Sequence, residues 1–166
     1  MNIEELNTAL AQIFASDDLL KNEPMSKHTT FHCGGPAQFF VRASNAADIT
    51  AAISAAEKAD APWWIVGCGS DLLVSDAGLP GVVIEIGERM AHISIDGSVV
   101  HAQAGATNEA VAQAALEAEL TGYEFASGIP GSVGGAAIMN AGAYDGEFKD
   151  VAVSVSCLFP DGTVRK

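Results

Sequence analysis

Basic residues are scarce in this chain: 8 Lys and Arg stand against 21 Asp and Glu, giving a formal net charge of -13 over 166 residues. Such a field repels a phosphate backbone, and no Lys/Arg cluster offers a local exception, so nucleic acid is excluded as an expected partner. Long apolar runs are missing too. None approaches the roughly 20 residues needed to cross a bilayer, and residues 1–5 lack a cationic segment leading into an apolar one. The chain therefore reads as soluble and cytoplasmic, with no membrane partner. Cys33, Cys68 and Cys157 are odd in number and far apart, without the close Cys or His pairs that bind zinc, so neither a metal site nor a disulfide framework is expected. No internal repeat or low-complexity tract is present. What the chain does have is 49% hydrophobic residues, enough for one good core or two small ones.

Ile3, Leu6, Leu10, Ile13 and Phe14 fall on one helical stripe behind Glu4 and Glu5, which predicts an N-terminal amphipathic helix. Residues 22–36 are polar and turn-forming, and residues 37–41 read as a strand. Asn45 caps a second helix carried by Ile49, Ala52, Ile53 and Ala56 and stopped at Asp60-Ala61-Pro62. Trp63-Trp64-Ile65-Val66 then reads as a compact buried strand, completing a βαβ unit with parallel strands. Past it, Leu72-Leu73-Val74, Val82-Val83-Ile84 and His92-Ile93-Ser94-Ile95 are strand-like pieces separated by turns, so the sheet becomes mixed. Asp96-Gly97 predicts a type I′ hairpin. A third helix over residues 108–119 presents Val111, Ala114, Ala115 and Ala118, with Glu109, Glu117 and Glu119 forming a solvated face rather than an acid/base pair. A glycine-rich segment, a strand over 151–158 and a Pro160-Asp161-Gly162 turn close the chain. The overall expectation is α/β (α+β) with mixed sheets: an N-terminal helix over 1–20, one lobe over 21–95 and a second over 96–166.

Two loops carry the functional signal. Gly67-Cys68-Gly69-Ser70-Asp71, followed by Leu72, comes after a strand; Ser127-Gly128-Ile129-Pro130-Gly131-Ser132-Val133-Gly134-Gly135 leads into a short helix. An acidic chain that binds a diphosphate needs donors other than Lys and Arg, and glycine-rich turns let backbone N–H groups converge on phosphate oxygens. Leu72 stands where a third glycine would complete a dinucleotide fingerprint, and neither loop ends in the Gly-Lys-Ser/Thr of a P-loop. The helix after the second loop would offer its N-terminus to an anion. Cys68 lacks a neighbouring base and reads as a small loop filler, not a nucleophile. His28 and His32 read as surface or hydrogen-bonded histidines. Of Trp63 and Trp64, adjacent in a strand, one is expected in the core and the other at an edge.

The order of these motifs resembles one family. Asn22-Glu23-Pro24-Met25-Ser26-Lys27-His28-Thr29-Thr30-Phe31 with Gly34-Gly35-Pro36-Ala37 is similar to the opening signature of the UDP-N-acetylenolpyruvoylglucosamine reductases. The two glycine loops, the second extended by Met139-Asn140-Ala141-Gly142-Ala143-Tyr144, resemble that family's flavin-site motifs. The resemblance implies two small lobes of the vanillyl-alcohol-oxidase (p-cresol methylhydroxylase) type of FAD-binding fold, with the substrate domain absent. It implies non-covalent FAD held by Gly67, Cys68, Gly69, Ser70, Asp71 and Leu72, by Ser127, Gly128, Ile129, Pro130, Gly131, Ser132, Gly134 and Gly135, and by Asn140, Ala141 and Gly142. It further implies NADPH as hydride donor and a UDP-sugar substrate engaged with the absent domain, and it places no catalytic residue within this chain. Cys68 and Asp71 stand where Asn is commoner in relatives, and a carboxylate beside a pyrophosphate costs affinity unless it points away. A stand-alone flavin-binding module or subunit without the reductase activity is the alternative.

Overall fold

The computed structural model describes residues 1–159 and 161–166. These form two compact units, Met1–Ile86 and Gly87–Lys166.

The first unit is built on a four-stranded mixed sheet of β1 (Leu19–Pro24), β2 (Pro36–Arg42), β3 (Trp63–Val66) and β4 (Leu79–Glu85), in the order β1-β2-β4-β3. β1 runs antiparallel to β2, while β2, β4 and β3 are mutually parallel. The helices α1 (Ile3–Ile13) and α2 (Ala46–Lys58) pack on each other, and α2 packs on β4. Their apolar stripes explain this: Leu6 and Leu10 of α1 and Ile49, Ala52, Ala55 and Ala56 of α2 are buried. Around Phe40 and Val83 a cluster gathers Met25, Ala37, Val66 and Val74, with Leu72 and Leu79 against it. Leu72 and Val74 thereby anchor the chain that leaves the first glycine loop.

Several expectations are corrected here. Leu19–Pro24 is a strand that the polar composition concealed; it lies at a sheet edge, where Pro24 removes no needed ladder bond. The βαβ unit exists as β2-α2-β3, but β4 inserts between its strands. β3 is an edge strand whose Trp63, Trp64 and Ile65 are all exposed, so neither Trp enters the core; Trp64 Nε1 donates to the Pro80 carbonyl at 3.0 Å. Leu72-Leu73-Val74 is irregular backbone that packs through Leu72 and Val74 and leaves Leu73 in solvent.

In the second unit β5 (Ile93–Asp96) and β6 (Val99–Ala102) form the expected hairpin, one register step on. Asp96 pairs with Val99, leaving Gly97-Ser98 as the loop, and only Gly97 takes a positive φ (58°), which is the demand of a II′ rather than a I′ turn. Helix α3 (Asn108–Glu117) is capped by Thr107, whose Oγ1 accepts from the Ala110 N–H, and it ends two residues earlier than expected. The glycine-rich segment then forms α4 (Val133–Met139) and a minimal hairpin of β7 (Gly142–Ala143) and β8 (Gly146–Glu147). The expected strand over 151–158 is mostly irregular backbone: Val151 ends a helical turn, α5 (Phe148–Val151), that opens with a Glu147/Asp150 capping box, and residues 152–156 form no ladder. Only Cys157–Leu158 (β9) pairs, with Val164–Arg165 (β10). Of the turn expected there, Pro160 lies outside the described residues, and Gly162 takes φ 78°.

The α2 cap is reciprocal: Asn45 Oδ1 accepts from the Asp48 N–H at 3.0 Å, and Asp48 Oδ2 accepts from the Ser44 N–H at 2.8 Å. Asn45→Ala should cost about 1 kcal/mol, read as a lower urea midpoint at unchanged m-value; an unshifted midpoint would show that the cap contributes nothing.

Candidate functional site

In the first unit, residues 67–72 follow β3 directly. The loop rests on residues 28–30. Gly69 is buried with φ 62°, and a Cβ there would sit 2.0 Å from the His28 carbonyl oxygen, so only glycine allows the approach. Thr30 N–H donates to the Gly69 carbonyl and Thr30 Oγ1 to the Ser70 carbonyl, both at 3.3 Å. No peptide bond is cis, and in a planar trans peptide the N–H lies opposite the C=O. The amides of Ser70 and Asp71 therefore point away from Thr30, to the outer side of the loop. Asp71 is exposed, Leu72 half-buried, and Cys68 exposed as a residue.

The surroundings of this loop are polar. His28 Nε2 contacts Glu23 Oε1 at 3.1 Å and its Nδ1 lies 3.5 Å from Glu85 Oε1, while the ring stacks on Phe40 at 4.1 Å between centroids. His28 is thus a largely buried, hydrogen-bonded histidine; His32 is exposed. Burial pushes the Cys68 thiol up, and the Glu85 carboxylate adds to the rise.

In the second unit, Asn108 shapes the loop over 127–132. This residue is 1% exposed. Its Nδ2 donates to the Ile129 carbonyl at 3.3 Å, its backbone N–H to the Gly131 carbonyl at 3.1 Å, and its Oδ1 accepts from the Tyr123 hydroxyl at 3.0 Å. Burial raises the Tyr123 pKa, keeping that hydroxyl a donor. With the Gly131 carbonyl turned to Asn108, the Ser132 amide points the other way. The sequence carries a signal for Asn108 in that it is a polar residue on the stripe completed by Val111 and Ala115.

The glycines of this loop divide into two kinds. Gly134 is explained by packing, since its N–H donates to the Ala104 carbonyl at 2.8 Å and a Cβ would come within 3.0 Å of Ala104. Gly128 is not: a Cβ there would meet nothing within 4 Å, and its φ is not positive. Gly135 sits inside α4, where the nearest contact of a Cβ would be an ordinary 3.6 Å from Ser132 Oγ. The N-terminus of α4 as an anion site is corrected by its bonding. Val133 N–H donates to Ala106, Gly134 N–H to Ala104, and Gly135 N–H to the capping Ser132 Oγ, so the first-turn donors are engaged within the protein.

Asn140 ends α4 in the left-handed conformation (φ 45°), its Nδ2 bonded to Glu147 Oε2 and its Oδ1 accepting from the Lys149 N–H, both at 3.0 Å. Ala141 N–H returns to Ala136, and Gly142 pairs with Glu147. With residues 143–147, Asn140 and Gly142 line an open depression beside the fully exposed Tyr144. Among the described residues no cluster of His, Cys, Asp or Glu is arranged to hold a metal ion, and no helix is long and apolar enough to cross a membrane.

Residues 37–166, both loops included, match the family described as FAD binding domain. The chain belongs to that family. Among curated relatives of this FAD binding domain chain, the UDP-N-acetylenolpyruvoylglucosamine reductase of Agathobacter rectalis is 46% identical over 159 residues, covering 89% of this chain and 50% of the relative. That of Clostridioides difficile is 38% identical over 164 residues, covering 99% and 54%. The chain thus spans about half the length of the curated relatives it matches, and it resembles their FAD-binding part. Among solved structures, the crystal structure of UDP-N-acetylenolpyruvylglucosamine reductase from Thermus caldophilus aligns with a TM-score of 0.71 at 32% identity, over 89% of this chain and 52% of that one. p-Cresol methylhydroxylase aligns at 0.62 with 16% identity over 85% and 30%, a likeness of fold alone. The mixed α/β architecture is that of this FAD-binding fold.

A raised thiol pKa means little thiolate at neutral pH. Cys68 should react with iodoacetamide at pH 7.5 more slowly than free cysteine, as followed by peptide mass spectrometry; faster alkylation would reopen its reading as a nucleophile.

Proposed function

We propose that this chain binds FAD non-covalently and is the FAD-binding portion of an NADPH-dependent reductase. In this reading the reductase converts the enolpyruvyl ether of UDP-N-acetylglucosamine to the lactyl ether of UDP-N-acetylmuramate for peptidoglycan. The observation that carries the flavin reading is the pair Gly128 and Gly135, whose missing side chains neither backbone conformation nor packing requires. In a helix a glycine costs about 1 kcal/mol relative to alanine, so Gly135 runs against the local helical preference. Open space at Gly128 and room for a methyl group at Gly135 fit a ligand that comes up against the backbone.

In this reading each loop offers the cofactor an outward backbone donor, the Asp71 amide in the first unit, held by Thr30, and the Ser132 amide in the second, held by Asn108. Backbone dipoles suit a chain of net charge -13, because they supply positive potential without a cationic side chain. Asp71, exposed beside this loop, has room to turn its carboxylate to solvent. When bound, FAD supplies the hydride chemistry; the chain's own residues bind it and orient it. NADPH as donor, the UDP-sugar as substrate and a cytoplasmic setting follow from the resemblance to the reductases, as do the roles of Gly67, Cys68, Gly69, Leu72, Ile129, Pro130, Gly131, Gly134, Asn140, Ala141 and Gly142 around the flavin.

Gly128→Ala and Gly135→Ala test this directly. Each should leave thermal stability unchanged or, for Gly135→Ala, slightly raised, while FAD affinity measured by fluorescence quenching falls about tenfold or more. Undiminished affinity in both variants would remove the basis of the flavin site.

A further inference from the structure

We propose that Tyr123 is a positioning residue for the second glycine loop, acting from both ends of its side chain. Its hydroxyl fixes the Asn108 carboxamide that draws in the Ile129 carbonyl, and its ring, packed through Phe125 on Gly146, ties that loop to the β7–β8 hairpin. This coupling rests on the FAD reading above and joins two segments that the reading assigns to the cofactor.

The Tyr123 hydroxyl donates to Asn108 Oδ1 at 3.0 Å, and Asn108 Nδ2 donates in turn to the Ile129 carbonyl at 3.3 Å. A carboxamide is planar, so an oxygen held on one side sets where the Nδ2 hydrogens point on the other. Turned over, the same amide would bring Oδ1 against the Ile129 carbonyl oxygen, acceptor facing acceptor. Asn108 is 1% exposed, and a buried acceptor deprived of its donor is costly. Without the hydroxyl, the carboxamide gains by turning Oδ1 toward another donor, and Ile129 loses its anchor.

Tyr123 also opens the turn that delivers the chain into the loop. Ala126 N–H donates to the Tyr123 carbonyl at 3.1 Å, and Ile129 N–H to the Ala126 carbonyl at 3.0 Å. The Tyr123 and Phe125 rings meet at 5.6 Å between centroids with a 60° tilt, a favourable separation and geometry for an aromatic pair. Phe125 lies against the backbone of Gly146, where an added Cβ would come within 2.8 Å of Phe125 Cγ. Gly146 pairs with Ala143, and the two residues between them, Tyr144 and Asp145, take positive φ (51° and 65°) without being glycine. Such backbone persists where the surroundings hold it, and Phe125 against Gly146 supplies part of that support. The glycine loop and the hairpin lining the depression around Tyr144 thus share one aromatic pair.

The test reads amide hydrogen exchange in the apo chain, thermal stability and the FAD dissociation constant. Exchange is followed at Asn108 and Ile129 for the loop, at Phe148, bonded to Ala141, for the hairpin, and at residues 112–116 of α3 as reference. Tyr123→Phe should quicken Asn108, Ile129 and Phe148 about tenfold, the scale of one unsatisfied buried acceptor, and leave the reference unchanged. Gly146→Ala should quicken Asn108 and Ile129 by displacing Phe125; where that variant does not fold, Phe125→Leu carries the same expectation. The double variant Asn108→Leu/Tyr123→Phe removes both polar partners, so it should regain the stability lost in Tyr123→Phe while still binding FAD about tenfold more weakly than the unaltered chain. Full FAD affinity in that double variant would show a purely structural role and overturn the proposal. Exchange at Asn108 and Ile129 that ignores Tyr123→Phe or the hairpin substitution overturns it as well, as does quickening spread equally over residues 112–116. If the unaltered chain binds no FAD, the flavin reading falls by itself, and exchange in the apo chain still decides the coupling.

Discussion

Carbonyl oxygens turned inward are the constraint on which both glycine loops depend. Thr30 draws in the carbonyls of Gly69 and Ser70, and Asn108 draws in those of Ile129 and Gly131. Because the peptide group is planar and trans, fixing a carbonyl fixes the following amide in the opposite direction. The loops thus acquire outward donors as a consequence of how they are seated, not of any helix terminus. Glycine at 69 is necessary to the seating, since any side chain would collide with the His28 carbonyl.

This arrangement resolves the apparent conflict between a strongly acidic chain and an anionic ligand. Cationic side chains near the first loop are engaged with carboxylates: Lys27 with Glu23 and Arg42 with Glu85. Positive potential for a diphosphate falls to the backbone, which no change in overall charge disturbs. The same two carboxylates flank the His28 ring.

Much of this was legible in the sequence, and the failures have physical causes. Asn45 and the stripe of Ile49, Ala52 and Ala56 identified α2 because capping and 3.6-residue periodicity are local signals. Both glycine loops could be read for the same reason. Burial at β3 could not be read, because a short apolar run looks the same at a sheet edge as in a centre, and the insertion of β4 between β2 and β3 is a long-range event. Leu72-Leu73-Val74 looked like a strand because two of its side chains are apolar anchors, yet anchoring a loop requires no ladder. At the site, glycine spacing identified the loops but not which glycines the fold itself requires. Gly134 and Gly128 are indistinguishable until the neighbours of an added Cβ are known. The bracing role of Asn108 rests on a side-chain contact with a residue far away in sequence, Ile129.

Amide chemical shifts recorded while FAD is added to the ¹⁵N-labelled chain test the central claim most directly. The account predicts saturable shifts at Asp71, Gly128 and Ser132, with the amides of Val133 and Gly134, already bonded to Ala106 and Ala104, moving least within the second loop. Saturation that leaves Asp71, Gly128 and Ser132 unmoved would contradict it.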